Sequence, residues 1–425
     1  MAPMIDRRAF LGAAAGAALS LRAIPDVLAA IASHRGTPQE TRDNEHFWFQ
    51  VQRAFTVDRS IINLNSGGVS PSPAVVHDAL KRHLDLSNAG PSYFMWRVLE
   101  PQRETVRARL ANLFGADPEE IAITRNASEG LQICQFGFDL KAGDEVLCTD
   151  QDYGRMITTF KQRARREGIV LKTFPVPVPC DDPAKIVASF EKNITPKTKI
   201  ILMSHVINLT GLILPVKEVA ALGRARGIPV IVDGAHGFAH FPFKHADLDC
   251  DYYATSLHKW LFAPVGCGML YVRKSLIPGL WPLMAADEKQ AADIRKFEEI
   301  GTHPAANALA VAEAITFHEG LGAERKAERL RFLRDRWANR LAKLDRVKIL
   351  SSLKPGLGCG VATFAVDGIE AGKLCEHLWD KRKIVATPID HPDVKGIRVS
   401  PSVWTQREEI DLFCDAVETY IRSPK

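Results

Sequence analysis

Seven short apolar runs constrain the fold of this chain most strongly. They lie at residues 121–124, 145–149, 170–174, 199–203, 230–232, 252–256 and 268–272. Strands that are buried on both faces have nearly continuous apolar sequences, whereas strands with one solvent-exposed face alternate between apolar and polar residues. Helical stretches separate most of these runs, and such an alternation favours a parallel sheet covered by helices. We therefore predict an α/β fold whose largest part is a mostly parallel sheet.

The sequence outside these runs predicts the remaining parts of the chain. Residues 304–345 form a long helical pattern rich in Ala, Glu and Arg. Beyond it, short strands are predicted at 361–366, 384–387 and 397–400, and a final helix at 405–422. We predict a large domain over residues 61–303, followed by a linking helix and a smaller C-terminal α+β domain over residues 304–425. The polar and aromatic residues 33–60 predict an N-terminal arm that packs on another domain or subunit.

The composition argues against nucleic-acid binding and against a metal site. The 425 residues are 46% hydrophobic and 25% charged with a net charge of +5, as in an ordinary globular protein. The densest basic segment, residues 161–166, is typical of a solvated helix face. The eight cysteines form no C-x-x-C motif and no cluster with histidine, so we predict no metal. Cys134 and Cys148 lie in apolar runs, as buried thiols do, and a disulfide in an oxidising compartment stays an open alternative.

The N-terminus has the pattern of an export signal. Arg7 and Arg8 precede an apolar stretch over residues 12–21, and Ala30-Ile31-Ala32 offers a small-x-small cleavage site. Paired arginines in such a segment indicate the twin-arginine translocation route, and an ordinary basic helix is the alternative. The apolar stretch is shorter than the roughly 20 residues that span a bilayer. We therefore predict a twin-arginine signal peptide over residues 1–32, recognised by the twin-arginine translocation machinery, and a periplasmic protein without a stable membrane span.

Two residues, Asp233 and Lys259, indicate the chemistry. Asp233 directly follows the apolar run 230–232, and α/β sheets bind ligands at the carboxyl ends of their strands. Lys259 lies just after another predicted strand, in the sequence Ser-Leu-His-Lys. A carboxylate against the pyridine nitrogen and a lysine that forms a Schiff base with the aldehyde are what pyridoxal 5′-phosphate requires. The sequence therefore predicts this cofactor with Lys259 and Asp233 as catalytic residues, and an Asp that only caps the turn at Gly234 is the alternative.

A phosphate site is predicted where the run at 121–124 ends. The next residues, Arg125 to Gly130, are mostly small and polar, and an amphipathic stretch follows them. A helix that begins here would present free N–H groups and the positive end of its dipole to an anion. A plain helix N-cap formed by Asn126 or Ser128 is the alternative.

The sequence resembles the class V aminotransferase family of fold-type I pyridoxal phosphate enzymes. Asp-Gly-Ala-His at residues 233–236 and Ser-Leu-His-Lys at residues 256–259 are similar to the two best markers of the family, in the same order and at a matching separation. The Asp-Tyr-Gly element, the Gly-Thr turn and Arg-Val-Ser-Pro at residues 398–401 are most similar to the isopenicillin N epimerase-like branch. The resemblance extends from Asn63 to the C-terminal helix, and it implies a homodimer.

The resemblance also implies roles for single residues. Lys259 would bond to the cofactor and move protons at the substrate's α-carbon, Asp233 would pair with the pyridine nitrogen, and His236 would contact the phenolic oxygen. The other implied cofactor ligands are Ala127, Ser128, Ser256 and His258 at the phosphate, Tyr153 over the ring with Asp152 as the alternative, Asn208, and Thr302 from a partner subunit. Asn208 and Arg398 are the implied substrate ligands. A guanidinium is well suited to grip the α-carboxylate, and a strand arginine paired at the surface is the alternative for Arg398.

These features predict an exported enzyme that acts at the α-carbon and amino group of an amino acid or an amino-acid-bearing metabolite. Epimerase-like and aminotransferase-like reactions are favoured. The alternatives are β-elimination by a C–S lyase, tailoring of a siderophore or peptide and, in another class, a non-catalytic binding protein with this fold. Cysteine desulfuration is disfavoured, because residues 384–395 ahead of Arg398 contain no cysteine and Cys375 lies upstream in a predicted helix.

Overall fold

A seven-stranded mixed sheet forms the centre of the molecule. The computed structural model describes residues 27–422. After the short strand β1 (Ile62–Asn63) come β2 (Ile121–Thr124), β3 (Glu145–Thr149), β4 (Val170–Phe174), β5 (Thr198–Ser204), β6 (Val230–Asp233), β7 (Tyr252–Ser256) and β8 (Gly268–Val272). The sheet has the order β2-β8-β7-β6-β5-β3-β4. Each of the seven predicted runs is therefore a strand of this sheet.

The prediction of a mostly parallel sheet is confirmed, and β8 is the exception. The pairs from β7 through β6, β5 and β3 to β4 are parallel, whereas β8 lies antiparallel to both β7 and β2. Residues 257–267 connect β7 to β8 without a helix. A parallel return needs a crossover of a dozen or more residues, generally a helix, so this short loop forces the reversal.

Helices cover both faces of the sheet. Those of the large domain span Ala74–Ala89, Pro91–Tyr93, Arg103–Phe114, Ala127–Gly137, Gly154–Glu167, Pro183–Asn193, Val216–Arg224 and His245–Leu248, with a π-helix at Phe94–Leu99. On β6, Val230 and Val232 belong to one hydrophobic cluster and Ile231 to another, so the strand is buried on both faces. This double burial is the physical reason for the continuous apolar runs.

A second, smaller sheet lies in the C-terminal part of the chain. The helices Ala306–Leu309, Val311–Leu321 and Ala323–Leu341 lead to it, and the helices Ala371–Arg382 and Arg407–Arg422 pack with it. Its antiparallel strands have the order β12 (Thr387–His391), β13 (Val394–Val399), β10 (Ala362–Val366) and β9 (Val347–Ile349). A separate pair joins β1 to β11 (Ile384–Val385) in parallel, so the start of the large domain is tied to the small one.

The N-terminal arm packs on the linking helix. It contains the helices Pro38–Thr41 and Glu45–Arg53, and a carboxylate oxygen of Glu45 lies 3.0 Å from Nη2 of the buried Arg329. Residues 27–33 are helical, with Val27 and Ile31 in the main core, whereas residues 1–26 of the predicted signal lie outside the described part. Between residues 27 and 422, no helix is both long and apolar enough to cross a membrane. All eight cysteines are free thiols, and seven of them are buried.

Candidate active site

The predicted site residues meet in one cavity at the carboxyl edge of the large sheet. Asp233 is the last residue of β6, and Ser256 is the last residue of the neighbouring β7. The cavity has a volume of about 270 Å³. Ten of the predicted residues line it: Ala127, Ser128, Tyr153, Asn208, Asp233, His236, Ser256, His258, Lys259 and Arg398. Residues separated by 271 positions in the sequence therefore face a common space.

Lys259 has the electrostatic setting of a reactive amine. Its Nζ lies 3.2 Å from Nε2 of His236. Burial lowers the pKa of the Lys259 ammonium to about 8, although the charge of Asp233 opposes the shift, and Arg398 lowers the pKa further. Burial also holds the pKa of His236 well below its usual range, so its neutral ring can accept a hydrogen bond from Lys259. A lysine with a depressed pKa is a better nucleophile and base near neutral pH.

Asp233 is buried and positioned by the turn that follows it. Its Oδ1 accepts a hydrogen bond from the amide of Ala235 at 3.0 Å. Burial raises the pKa of Asp233, against the lowering effects of this bond and of Lys259. A cationic ring nitrogen beside this carboxylate would favour its charged form. The setting therefore suits a protonated pyridine.

The predicted phosphate site is the start of the helix Ala127–Gly137. Asn126 caps this helix by accepting a hydrogen bond from the amide of Glu129 at 2.9 Å, so the capping alternative is present together with the cavity. The amide of Ala127 donates to Oγ of Ser256 at 3.0 Å. A Cβ on Gly268 would lie 2.5 Å from Cα of Asn126, so only glycine lets β8 pass this turn. These contacts join the helix start to the strand that precedes Lys259.

Arg398 projects into the cavity from β13. It is 7% exposed, Nη2 donates to Oδ1 of Asn65 at 2.9 Å, and Nη1 donates to the carbonyl of Asn208 at 3.1 Å. Burial lowers the pKa of its guanidinium, as expected for a charge without an anionic partner. Neither contact is a carboxylate, so the charge is available to an anion in the cavity. The arrangement differs from the surface-paired alternative.

The side chains of Tyr153 and Asp152 have different surroundings in the structure. Tyr153 precedes the helix Gly154–Glu167 and lines the cavity with 37% of its surface exposed. The Asp152 carboxylate instead accepts hydrogen bonds from the backbone and hydroxyl groups of Thr149 and Ser204, at 2.6 to 2.8 Å. It therefore ties β3 to β5, and of the two residues only Tyr153 is placed to cover a ring.

Thr302 is the predicted residue that does not meet the others. It is exposed on a turn beside Gly301, which has a φ of +72°, and it does not line the cavity. The implied role for Thr302 involves a partner subunit, so it stays a prediction.

Unpaired polar atoms of the residues that line the cavity suit the binding of pyridoxal 5′-phosphate. Among the described residues, Nδ1 of His236, Nδ1 of His258 and Nε of Arg398 are buried without a hydrogen-bond partner. All three residues line the cavity. Buried polar atoms are costly when unpaired, so three of them around one cavity indicate a polar ligand. The residues present therefore fit the cofactor that the sequence predicted.

Eight lining residues were not among the predicted site residues: Gly67, Gly68, Asn126, Leu131, Arg155, Ser204, Val206 and Ala235. Gly67 and Gly68 form one wall, where a Cβ on Gly67 would lie 3.1 Å from Oγ of Ser400 and 3.3 Å from Cε1 of His236. The Gly-Gly pair was the signal for this close approach. Arg155 is exposed on the first turn of the helix Gly154–Glu167 and also lines the cavity. Its guanidinium makes no hydrogen bond or ion pair with residues 27–422. A lone arginine in a sequence does not indicate that its side chain will line a cavity.

Known proteins are similar to this chain in both sequence and fold. A family model described as aminotransferase class-V matches residues 62–413. Isopenicillin N epimerase of Amycolatopsis lactamdurans is 32% identical over 390 residues, which cover 87% of this chain and 98% of that protein. A probable cysteine desulfurase of Vibrio cholerae is 27% identical over 382 residues, covering 84% and 93%. A solved structure of the cystine C–S lyase C-DES is 26% identical with a TM-score of 0.73, covering 84% of this chain and 97% of that one.

Proposed function

The chain belongs to the aminotransferase class-V family and is a pyridoxal 5′-phosphate-dependent enzyme, and we propose that it transfers a proton at the α-carbon of an amino acid or an amino-acid-bearing metabolite. The observation that carries this proposal is the depressed pKa of Lys259 in a cavity that also holds the charge of Arg398. One group is suited to move a proton and the other to hold a carboxylate. The same two groups also suit the first step of transamination.

The residues of the chain divide the work between orientation and proton transfer. Bound pyridoxal phosphate supplies an electrophilic carbon and a ring that stabilises negative charge at the α-carbon. Arg398 binds the α-carboxylate and so sets which bond at the α-carbon faces Lys259. The neutral amine of Lys259 takes the α-proton, and His236 at 3.2 Å holds that amine in place. With a pKa of about 8, roughly a tenth of the Lys259 amines are neutral at pH 7.

Epimerase-like chemistry is our first candidate and C–S elimination is the second. The 32% identity to an isopenicillin N epimerase over nearly its whole length supports the first. The likeness to a cystine C–S lyase supports the second, since elimination begins with the same proton removal. Desulfuration through a protein thiol is disfavoured, because among the described residues no cysteine lines the cavity. The segment ahead of Arg398 contains no cysteine either, and residues 387–399 form the β12–β13 hairpin.

A substrate with a second acidic group would use Arg155. Arg398 serves the α-carboxylate, and the cofactor phosphate has the start of the helix Ala127–Gly137 with Ser256 and His258. Arg155 is then the cavity cation left without a partner among residues 27–422. An amino-acid-bearing metabolite with a distal carboxylate would pair with it.

We also propose a homodimer and export. Tyr93, Trp96, Val265, Trp281 and Met284 expose between 50% and 67% of their surfaces, and a second copy of the chain could cover such side chains. A dimer is also what the role implied for Thr302, at the phosphate of a partner subunit, requires. The paired Arg7 and Arg8 support export by the twin-arginine route.

The test of the proposed function is α-proton exchange in D2O. The holoenzyme is incubated with a panel of L- and D-amino acids and γ-glutamyl peptides, and loss of the α-proton is followed by NMR. We expect deuterium at the α-carbon with the wild type and none with Lys259→Ala. Inverted product would identify epimerisation, pyruvate or a related keto product with a released thiol would identify elimination, and conversion of the cofactor to its amine form would identify transamination. The absence of exchange with every compound would contradict the proposal.

A further inference from the structure

His240 is a buried histidine whose two ring nitrogens bind different parts of the molecule. Nδ1 lies 2.8 Å from the carbonyl of His236, and Nε2 lies 2.9 Å from the amide nitrogen of Gly360. The amide can only donate, so Nε2 accepts and Nδ1 carries the proton that it donates to His236. Burial holds the pKa of His240 well below its usual range, which keeps this neutral form.

One side of His240 leads to Lys259. His236, whose carbonyl accepts the hydrogen bond, has its own ring nitrogen 3.2 Å from Nζ of Lys259. The ring of His240 also stacks on Trp260, the residue after Lys259, with centroids 3.7 Å apart. His240 thus contacts the backbone of His236, whose ring holds the lysine amine, and the ring of Trp260, which follows the lysine.

The other side of His240 leads to Arg398. Gly360 lies two residues before β10, and Thr363 of β10 pairs with Arg398 of β13. A Cβ on Gly360 would lie 2.8 Å from Cβ of Leu330 and 3.0 Å from Nε2 of His240, so this backbone needs glycine to approach the ring. The backbone of the small domain is therefore held directly against the histidine.

We propose that His240 is a positioning residue that sets the place of the carboxylate-binding Arg398 relative to Lys259. This inference rests on the proposed function, because it takes Arg398 to bind the substrate. Nearby contacts, such as the 3.4 Å approach of Cys359 Sγ to the carbonyl of Gly211, also hold this segment to the large domain. The contact through His240 joins the segment that leads into β10 to the turn beside Lys259. Its loss should therefore weaken substrate binding without unfolding the protein.

Two substitutions separate the two hydrogen bonds. His240→Asn keeps an amide donor near the place of Nδ1 but removes the acceptor for Gly360, and His240→Gln puts an amide oxygen near the place of Nε2. Both variants lose the same stacking on Trp260. We expect His240→Asn to weaken amino-acid binding to the holoenzyme by roughly five- to tenfold, as for one hydrogen bond, with His240→Gln within about threefold of the wild type. The affinity for pyridoxal phosphate should change by less than about twofold in both.

Amino-acid affinity is measured from the change in the visible cofactor band, and hydrogen–deuterium exchange of the peptide around Gly360 gives a second readout that needs no substrate. Faster exchange there in His240→Asn than in His240→Gln is expected. Should His240→Asn fail to fold, His240→Ser, which also cannot reach Gly360 as an acceptor, replaces it. His245→Asn is the matched control, because His245 also contacts a carbonyl, that of Cys250 at 3.0 Å, and packs on Tyr271, but stays within the large domain.

The outcomes distinguish this inference from the proposed function. Equal losses of amino-acid affinity in His240→Asn and His240→Gln would overturn the positioning role, because the lost stacking would then explain both. Faster exchange at Gly360 with unchanged amino-acid affinity would also overturn it. A wild type that binds no amino acid would refute the proposed function instead, and the exchange data would still report on the hydrogen bond itself.

Discussion

The two walls of the active-site cavity are built in different ways. On the large-domain wall, Asp233 and Ser256 are the last residues of adjacent parallel strands, and Lys259 follows three residues after the second. On the small-domain wall, Arg398 comes from the middle of an antiparallel sheet and is held by Asn65 and the carbonyl of Asn208. The first wall belongs to the core sheet itself, whereas the second depends on how another sheet is placed against it.

In the proposed function, the large-domain wall carries the chemistry and the small-domain wall recognises the substrate. Groups at the ends of buried strands are held by the sheet, which suits atoms that must keep a fixed geometry around a cofactor. A carboxylate clamp on a separate sheet can be altered without disturbing the cofactor site. The two walls should therefore respond separately to substitution, and the following predictions test that separation.

The largest effect is expected for Lys259→Ala on the large-domain wall. Loss of a positioned acid–base group should reduce turnover by roughly 10²–10⁴-fold, and the visible band of the lysine-linked cofactor should be absent. Steady-state rates and absorbance spectra check this. Lys161→Ala, at an exposed lysine, should behave as the wild type. Retention of both activity and band in Lys259→Ala would contradict the mechanism.

The next effect is expected for Arg398→Ala on the small-domain wall. Loss of a charged, two-pronged donor should weaken amino-acid binding by roughly 10- to 100-fold, while affinity for pyridoxal phosphate stays within about twofold. Spectral titrations with each ligand measure the two constants. Arg398→Lys keeps the charge but not the two-pronged donor, so its amino-acid affinity should lie between those of the wild type and Arg398→Ala. An equal loss of amino-acid and cofactor affinity would refute the separation of the two walls.

These two predictions involve residues that differ in how readily the sequence reveals them. Asp233 and Lys259 are marked by local patterns, because Asp233 directly follows an apolar run and Lys259 lies three residues after the end of another strand. Arg398 has no such local mark and was assigned by resemblance alone. Asp152 and Tyr153 are neighbours in the chain, so the choice between them needed the structure, in which four hydrogen bonds hold the Asp152 carboxylate.

The strands of the large sheet and their mostly parallel direction were predictable from the sequence, but the reversal of β8 and the connections between domains were not. The reversal of β8 depends on the length of the loop that carries Lys259, and β9 (VKI), with only one buried residue, has too little apolar sequence to stand out. Arg155 and His240 could not be assigned from sequence, because their roles depend on which distant residues face them. Gly67 was partly predictable, since a pair of glycines indicates that other atoms approach the backbone closely but does not show which residues they belong to.

A smaller effect is expected from pH on the large-domain wall. The rate at which the apoenzyme captures pyridoxal phosphate should rise with pH with a midpoint near 8, because only the neutral amine of Lys259 attacks the aldehyde and burial lowers its pKa to about 8. Between pH 7 and 8 the neutral fraction grows by roughly fivefold. Stopped-flow absorbance across pH 6 to 10 measures this rate. A midpoint near 10.5, the ordinary value for a lysine, would show that the pKa of the amine is not lowered.

The smallest effect is expected for Arg155→Ala, at the cavity cation left without a partner. It should weaken binding of amino acids that carry a distal carboxylate by a few-fold, and leave neutral amino acids unchanged, since an exposed ion pair contributes little. Spectral titration with matched acidic and neutral amino acids gives the ratio. Arg165→Ala, on the exposed far end of the same helix, is the control. Equal effects on both amino-acid classes would exclude a role for Arg155 in recognising the second acidic group.

The most direct test of the central claim is to locate the cofactor-bound lysine. Borohydride reduction of the holoenzyme fixes pyridoxal phosphate to its lysine, and peptide mass spectrometry then identifies the site. We predict labelling at Lys259 and none at Lys326, a second buried lysine with a depressed pKa that donates to the carbonyl of Trp260 and does not line the cavity. Labelling at another lysine, with Lys259 unmodified, would contradict the account of the active site.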